Sequence, residues 1–398
     1  MKKTLREGFT TGTAAAAGAK AAASLLLGCP DADAQSPNAS SPNASSPDAR
    51  FADGSTLIDV PLPKGHSADN IPDSRLRVPL HKVELRDGTA TAVVIKDGGD
   101  DPDATHGAEI HVHVRRAPEE APGSVLLRGG RGVGRITLAG LPVPPGQPAI
   151  NPAPRGQIIH AVREAMELAG CFDALEVTIE VPEGERIAQK TLNPRLGIVG
   201  GISILGTRGT VKPFSHDAWK ATIRQGLSVA RQAGLTEIAF TTGGRSERFF
   251  REHRPQWPAL GVIQAADFFR FSMELAVEFG FTTVHWSVFF GKLVKHAQKF
   301  GSTHAVDSRI DFTQLARWFA EGGVRKEACE RTSQAVTAIG ALEAVGDDPA
   351  RDKAVREIVA RAARTAHNFA QGRACVAYSL FDFNGNLLDF LELQRSNS

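Results

Sequence analysis

Apolar and polar residues along this chain fall into short runs of two kinds. TAVVIK at 91–96, EIHVHV at 109–114, LEVTIEV at 175–181, EIAFTT at 237–242, TVHWSVFF at 283–290 and CVAYSLFDF at 375–383 have the two-residue period, or the β-branched and aromatic content, of strands. Apolar residues at three- and four-residue spacing predict helices over 156–170, 216–234, 265–280, 291–299, 325–345 and 350–372. From about residue 155 the two kinds alternate, as in a parallel or mixed sheet covered by helices. Residues 51–150 hold more proline and strand and read as α+β or mostly β. The expected fold is α/β with an α+β portion, a mixed sheet flanked by helices. A chain of 398 residues suggests two domains: 1–150 α+β and 151–398 α/β, with segments able to interleave.

Two segments interrupt the pattern. MKK followed by AAAAGAKAAASLLLGC imitates a lipoprotein leader ending at Cys29. Lys20, however, stands inside the apolar run, where a leader core should be uncharged. Thr11 or Thr13 is placed to cap a helix, alanine favours one, and Gly28 before Pro30 stops it, so an amphipathic helix is expected. SPNASSPNASSPDA at 36–49 repeats every five residues and has nothing to bury. It predicts a disordered surface insertion spanning about 30–50.

Composition narrows the partners. With 42% apolar residues and a formal net charge of +2, the chain resembles an ordinary soluble protein with no global field for nucleic acid. Its four cysteines form no C-x-x-C pair, which fits a reducing cytoplasm. No apolar run reaches the ~20 residues of a membrane span.

Several stretches carry chemistry. KDGGDDPDATHGAE at 96–109 packs five acidic residues, three glycines and a histidine into one loop. It reads either as a functional cluster using Asp100, Asp101 and His106, or as a turn whose side chains cap local backbone. GGRGVGR at 129–135 spells a nucleotide-type glycine pattern, but the prolines that follow forbid the helix such a loop needs. That leaves a Gly-rich turn or a backbone nest for an anion. Glycines interrupt the β-rich run at 192–209, and Gly197, Gly200 and Gly201 suggest close approach of a ligand or of another backbone. Thr241, Thr242, Gly243 and Gly244 end one strand-like run before a helix near Ser246, a place where backbone N–H groups can meet an anion. Lys292, Lys295 and Lys299 share one helix face, with Ser302, Thr303, His304 and Asp307 just downstream. His111 and His113 alternate on a strand without an evident third metal ligand, and no metal site is expected. The phenylalanines at 268, 269, 271, 279, 281, 289 and 290 read as core. No nucleophilic triad or P-loop is present.

In order along the chain stand LREGFTTGTAAAAGAKAA, KDGGDDPDATHGAEI, GVGRITLAGLPVPPGQPAINPAPR, VPEGERIAQKTLNPRLGIVGGISILGT, TTGGRSE and GKLVKHA. Together they resemble the cobalt-precorrin-5B C(1)-methyltransferase family of cobalamin biosynthesis, from about residue 5 to 390 apart from the insertion. The resemblance implies methyl transfer from S-adenosylmethionine to C-1 of a cobalt corrinoid, on a fold that is not an ordinary Rossmann methyltransferase. It also implies that Thr10 to Thr13 belong to the fold. Two positions depart from the family's habit: Ala14 where a cysteine commonly follows TTGT, and Phe289 where a histidine commonly stands two before GK.

Residue chemistry, not the resemblance, assigns the sites. Asp100 and Asp101 suit the cationic sulfonium and ribose hydroxyls, with His106 orienting an aspartate or exchanging a proton. The glycine loops 197–201 and 241–244 suit the cosubstrate. Thr10, Thr11, Thr13, Arg135, Arg155, Asn193, Arg195, Arg245, Lys292, Lys295 and His304 suit a carboxylate-rich macrocycle. Further expected partners are neighbouring pathway enzymes or a second copy of the chain, and neither membrane nor nucleic acid. Two other functions stay open on the residues: a magnesium-dependent phosphotransferase, and a non-catalytic corrinoid-binding protein anchored at Cys29.

Overall fold

The computed structural model describes residues 5–28, 56–63 and 74–393. The expected insertion at 30–50 and Cys29 lie outside the described residues. The chain divides into units Met1–Ser215 and His216–Ser398. The break is therefore at 215 rather than 150, because the helix that follows residue 150 completes the first unit's core.

In the first unit the elements are β1 (Gly8–Phe9), α1 (Thr11–Leu27), β2 (Thr56–Pro61), β3 (Arg75–Leu80), β4 (Lys82–Arg86), β5 (Thr89–Ile95), β6 (Glu109–Arg116), β7 (Val125–Gly129), β8 (Gly132–Val133), β9 (Arg135–Ile136), α2 (Pro152–Leu168), β10 (Leu175–Glu180), α3 (Gly184–Ala188), β11 (Ile198–Val199), β12 (Gly201–Ile202) and β13 (Thr210–Val211). The main sheet runs β4-β5-β6-β10-β7, antiparallel except where β10 meets β7. Ile110, Val112 and Val114 of β6 point into the core, with their histidine and arginine neighbours facing out, as the two-residue period requires.

Helix α1 is buried on every side from Thr11 to Ser24, not amphipathic as expected. Its alanines and glycines let sheet and α2 approach closely; a Cβ on Gly18 would lie 2.7 Å from Val112 Cγ2. The cap is Thr10 rather than Thr11 or Thr13: its hydroxyl accepts from the Thr13 N–H at 3.1 Å. Lys20 finds its partners across the core, donating to Asp59 O at 2.8 Å and to Glu164 of α2 at 2.9 Å. Burial pushes the Glu164 carboxyl up, but Arg75 and Lys20 outweigh it and hold it at about 2. A charge in mid-helix is thus an internal tie between α1, α2 and the β2–β3 ribbon.

In the second unit the elements are α4 (His216–Gln232), β14 (Glu237–Thr241), α5 (Gly244–His253), β15 (Val262–Gln264), α6 (Phe269–Glu278), β16 (Thr283–Phe289), α7 (Phe290–Ala297), α8 (Phe312–Glu321), α9 (Lys326–Ser333), α10 (Ala338–Val345), α11 (Arg351–Phe369), β17 (Cys375–Phe381) and β18 (Leu387–Leu393). The single helix expected over 325–345 is two, because Thr337 starts α10 by accepting from the Gly340 N–H. The sheet order is β15-β14-β16-β17-β18, with only β18 antiparallel. Helix α5 covers one face through Ala239, Phe250 and Val262. Side chains of α4, α6, α7 and α11 build the larger core with Phe240, Trp286 and Tyr378 on the other. Phe269, Phe281 and Phe290 are buried there. Strand β14 leaves through α5 toward one neighbour, whereas β16 leads on through helices of the opposite face. That reversal falls between β14 and β16, and the carboxyl ends of strands at such a switch point are where open parallel sheets bind ligands.

Candidate functional site

At this edge β14 ends in Thr241, and Thr242-Gly243-Gly244 turns into α5. Ser246 holds the turn: its hydroxyl accepts from the Thr242 N–H at 3.0 Å and donates to Gly243 O at 2.9 Å. Ser287 of β16 donates to Ser246 O at 2.9 Å and ties the turn to the next strand. Gly243 caps α5 without any side-chain hydrogen bond, so the first-turn N–H groups and their partial positive charge face outward. A Cβ added to Gly243 or Gly244 would meet nothing within 4 Å. Thr241 Oγ1 is buried and has no hydrogen-bond partner among the described residues. The result is a turn with backbone donors opening onto free space, while the Thr241 hydroxyl is sealed from that space.

Beside it lies a charged cluster. Lys292, in the first turn of α7, donates to the Asp267 carboxylate and to Thr303 Oγ1 at 2.9 Å. Thr303 Oγ1 in turn donates to Asp267 Oδ1 at 3.0 Å. Lys295 donates to Thr303 O at 2.9 Å, and His304 stands half-buried next in sequence. Burial pushes the Asp267 carboxyl up, but Lys292, Thr303 and His304 together bring it below its usual range. Burial and the neighbouring Lys292 push the Lys295 ammonium down. Seven of the expected residues therefore share one sheet edge: Thr241, Thr242, Gly243, Gly244, Lys292, Lys295 and His304. Arg245 sits on the same turn, exposed, with its guanidinium 6.0 Å and 5.5 Å from the ring centres of Phe289 and Phe383.

The other expected residues belong to the first unit, and several have structural work. Asp100 accepts from the Arg6 N–H at 2.8 Å, and Asp101 accepts from the Phe214 N–H at 2.9 Å. Asp97 takes the Arg6 guanidinium, and buried Lys96 pairs with Asp103. His106 Nδ1 accepts from the Gly98 N–H at 3.0 Å and lies 3.6 Å from Asp97 rather than beside Asp100 or Asp101. The acidic loop ties the segments at residues 6 and 214 together, and the turn-capping reading accounts for it.

Thr10, Thr11 and Thr13 are buried and bond to protein. Thr11 accepts from the Leu205 N–H at 2.9 Å, and Thr13 donates to Gly209 O at 2.8 Å. Buried Asn193 donates to Gly201 O at 3.1 Å. These side chains fasten α1 and the 193–209 segment rather than face a ligand. The glycines of that segment do permit close approach, but the approaching body is the chain itself. A Cβ on Gly201 would strike Gly132 O, one on Gly197 would strike Leu138, and one on Gly209 would lie 2.6 Å from Leu62; only Gly200 faces open space. Arg135 is exposed and donates to Gly146 O at 2.7 Å; Arg155 is half-buried on α2, and Arg195 is exposed on a 3-10 turn. No residue expected at a site lines the groove between Pro61–Pro63 and α2. Among the described residues, no three His, Cys, Asp or Glu side chains are grouped to hold a metal ion. No helix there is long and apolar enough to cross a membrane.

Sequence reasoning missed Asp267, the anchor of the lysine cluster. It follows β15, which is only three residues long and gives no periodic signal; VIQ followed by AAD was the available clue.

A family model described as CbiD matches residues 1–213, and one described as CbiD, C-terminal domain, matches 302–389. A protein of Nitratidesulfovibrio vulgaris named cobalt-precorrin-5B C(1)-methyltransferase is 46% identical over 96% of this chain and 92% of its own length. One of the same name from Geobacillus kaustophilus is 39% identical over 97% and 95%. A solved structure titled cobalamin biosynthesis protein (cbiD) from Archaeoglobus fulgidus aligns at 25% identity over 73% of this chain and 78% of that one, with a TM-score of 0.36. With a family model across more than half its length and near full-length relatives, this chain belongs to the CbiD family, the cobalt-precorrin-5B C(1)-methyltransferases.

Proposed function

We infer that this chain transfers the methyl group of S-adenosylmethionine to C-1 of cobalt-precorrin-5B, a step in building the corrin ring, and that the reaction occupies the carboxyl edge of the second unit's sheet. The observation that carries the reading is the near full-length likeness to relatives of that name. The carboxyl edge supports the placement, because there glycines, helix N–H groups and lysines meet open space.

S-adenosylmethionine supplies an electrophilic methyl group. As the bond to C-1 forms, the sulfur–methyl bond breaks and S-adenosylhomocysteine leaves. Such a displacement asks the protein for alignment and exclusion of water rather than for a nucleophilic side chain. The uncapped N–H groups of Gly244 to Ser246 suit the cosubstrate's carboxylate. Gly243 and Gly244 leave the room that a close-lying ligand needs. Lys295, bonded to the Thr303 carbonyl, offers a cation to a substrate carboxylate.

The test is transfer of labelled methyl from S-adenosylmethionine to cobalt-precorrin-5B by the purified chain. The reading expects S-adenosylhomocysteine in amounts equal to methylated corrinoid. Corrinoid binding without transfer favours the non-catalytic reading instead.

A further inference from the structure

Past the carboxyl ends of β16 and β17, the second unit carries an aromatic ledge that none of the contacts above explains. Phe289 ends β16, and Phe383 stands at the turn between β17 and β18; their ring centres are 5.0 Å apart. Phe383 is 50% exposed. Its turn is built to hold it. The Asp382 carboxylate accepts from the N–H groups of Asn384 at 2.9 Å and Asn386 at 2.8 Å. Gly385, at φ 96°, lets the turn press against Phe249, where a Cβ would lie 2.8 Å from the ring.

Two arginines flank the ledge. Arg248 lies 4.9 Å from the ring centre of Phe249 and makes only a loose, exposed ion pair with Glu252. Arg245 rests on Phe289 and Phe383 and forms no ion pair among the described residues. A guanidinium parked on ring faces keeps its hydrogen-bond donors available to an incoming carboxylate.

We propose that Phe289 and Phe383 form the platform on which the corrinoid ring lies, with Arg245 and Arg248 reading carboxylates at its rim. The proposal rests on the methyltransferase reading and adds to it the surface that holds the acceptor. A corrinoid intermediate is a broad conjugated ring edged with carboxylates. The exposed Phe383 ring and the half-buried Phe289 ring beside it match its face, and guanidinium groups with donors to spare match its edge. Arg245 directly follows Gly244, so the ledge adjoins the turn assigned to the methyl donor. The two ligands of a methyl transfer must be neighbours.

The test uses cobyrinic acid, a corrinoid with free carboxylate side chains, titrated into the full chain and followed by its visible absorbance. Phe383→Ala and Arg245→Gln should each weaken its binding roughly tenfold, with S-adenosylmethionine affinity and melting temperature unchanged. Phe383→Trp should restore it, and Arg245→Gln should reduce the salt dependence of binding. Parent-like affinity in both variants overturns the platform and leaves the methyltransferase reading standing. A parent chain that methylates cobalt-precorrin-5B but ignores cobyrinic acid overturns the platform too. A parent that neither binds a corrinoid nor transfers methyl overturns the activity reading and the platform with it.

Discussion

The two glycine-rich regions of this molecule look alike in sequence and differ in space. In the first unit, Gly132, Gly197, Gly201 and Gly209 are required because the chain crosses itself: a Cβ on any of them would enter another part of the same unit. In the second unit, a Cβ on Gly243 or Gly244 would touch nothing. The first set of glycines is fixed by folding. The second is not: the space beside it is open. The same contrast separates the charges. The aspartates of the 97–103 loop are bound to Arg6, Lys96 and backbone N–H groups, whereas Arg245 rests on ring faces and forms no ion pair among the described residues. What a residue faces, and not how suggestive its stretch looks, marks the site.

The largest effect that can break this comparison is on folding. Gly132→Ala would put a methyl group against Val181 O at a backbone φ of 72°, and should cost about 3 kcal/mol or more in urea unfolding. A melt like the parent's would contradict the self-crossing account.

Lys292→Met comes next. It should lower methyl transfer by roughly tenfold or more, since Asp267 and Thr303 lose the cation that orders them. Parent-like turnover would remove the cluster from the site.

Acid should unfold the second unit before the first. Burial, then Arg254 and His253, push His285 down to about 3, so it stays neutral in the fold. The unfolded chain takes up that proton below an ordinary histidine value of about 6.5, and the fold cannot. Stability therefore falls by up to ~1.4 kcal/mol per pH unit as pH drops from 6.5 toward 3, and then levels. Glu164 has the opposite origin: a carboxylate held at about 2, whose stabilisation is full above about 4.5 and lost as pH falls through about 2. His285→Gln should flatten the loss between about pH 6.5 and 5.5 in thermal melts, a window above the titration of Glu164, so Glu164→Gln should leave the slope there unchanged.

The smallest effect sharpens the acidic loop. Asp101→Ala removes the acceptor for the Phe214 N–H and should cost ~1 kcal/mol of stability, with no change in S-adenosylmethionine affinity. A change in affinity would return that loop to the site.

Much of the fold was legible in the chain. The β5, β6, β10, β14, β16 and β17 runs announced themselves by period and composition, and the lone Lys20 argued correctly for a helix over Thr11–Leu27. The division at 215 was not legible, because α2 belongs to the first unit through side chains it meets only in three dimensions. Thr242, Gly243, Gly244, Lys292 and Lys295 were all named from sequence, but nothing in sequence put them at one sheet edge or supplied Asp267. Thr10, Thr11, Thr13 and Asn193 were named from sequence as well, and the structure gives them buried protein partners. A polar side chain in an unusual stretch looks available until its buried partner is seen.

The most direct test of the central claim is calorimetric titration of S-adenosylmethionine into the parent chain, Gly244→Val and Asp101→Ala. The account predicts one-to-one binding to the parent and to Asp101→Ala. For Gly244→Val it predicts roughly tenfold or greater loss with an unchanged melting temperature. Parent-like binding by Gly244→Val, or loss of binding in Asp101→Ala alone, would contradict it and move the donor site into the first unit.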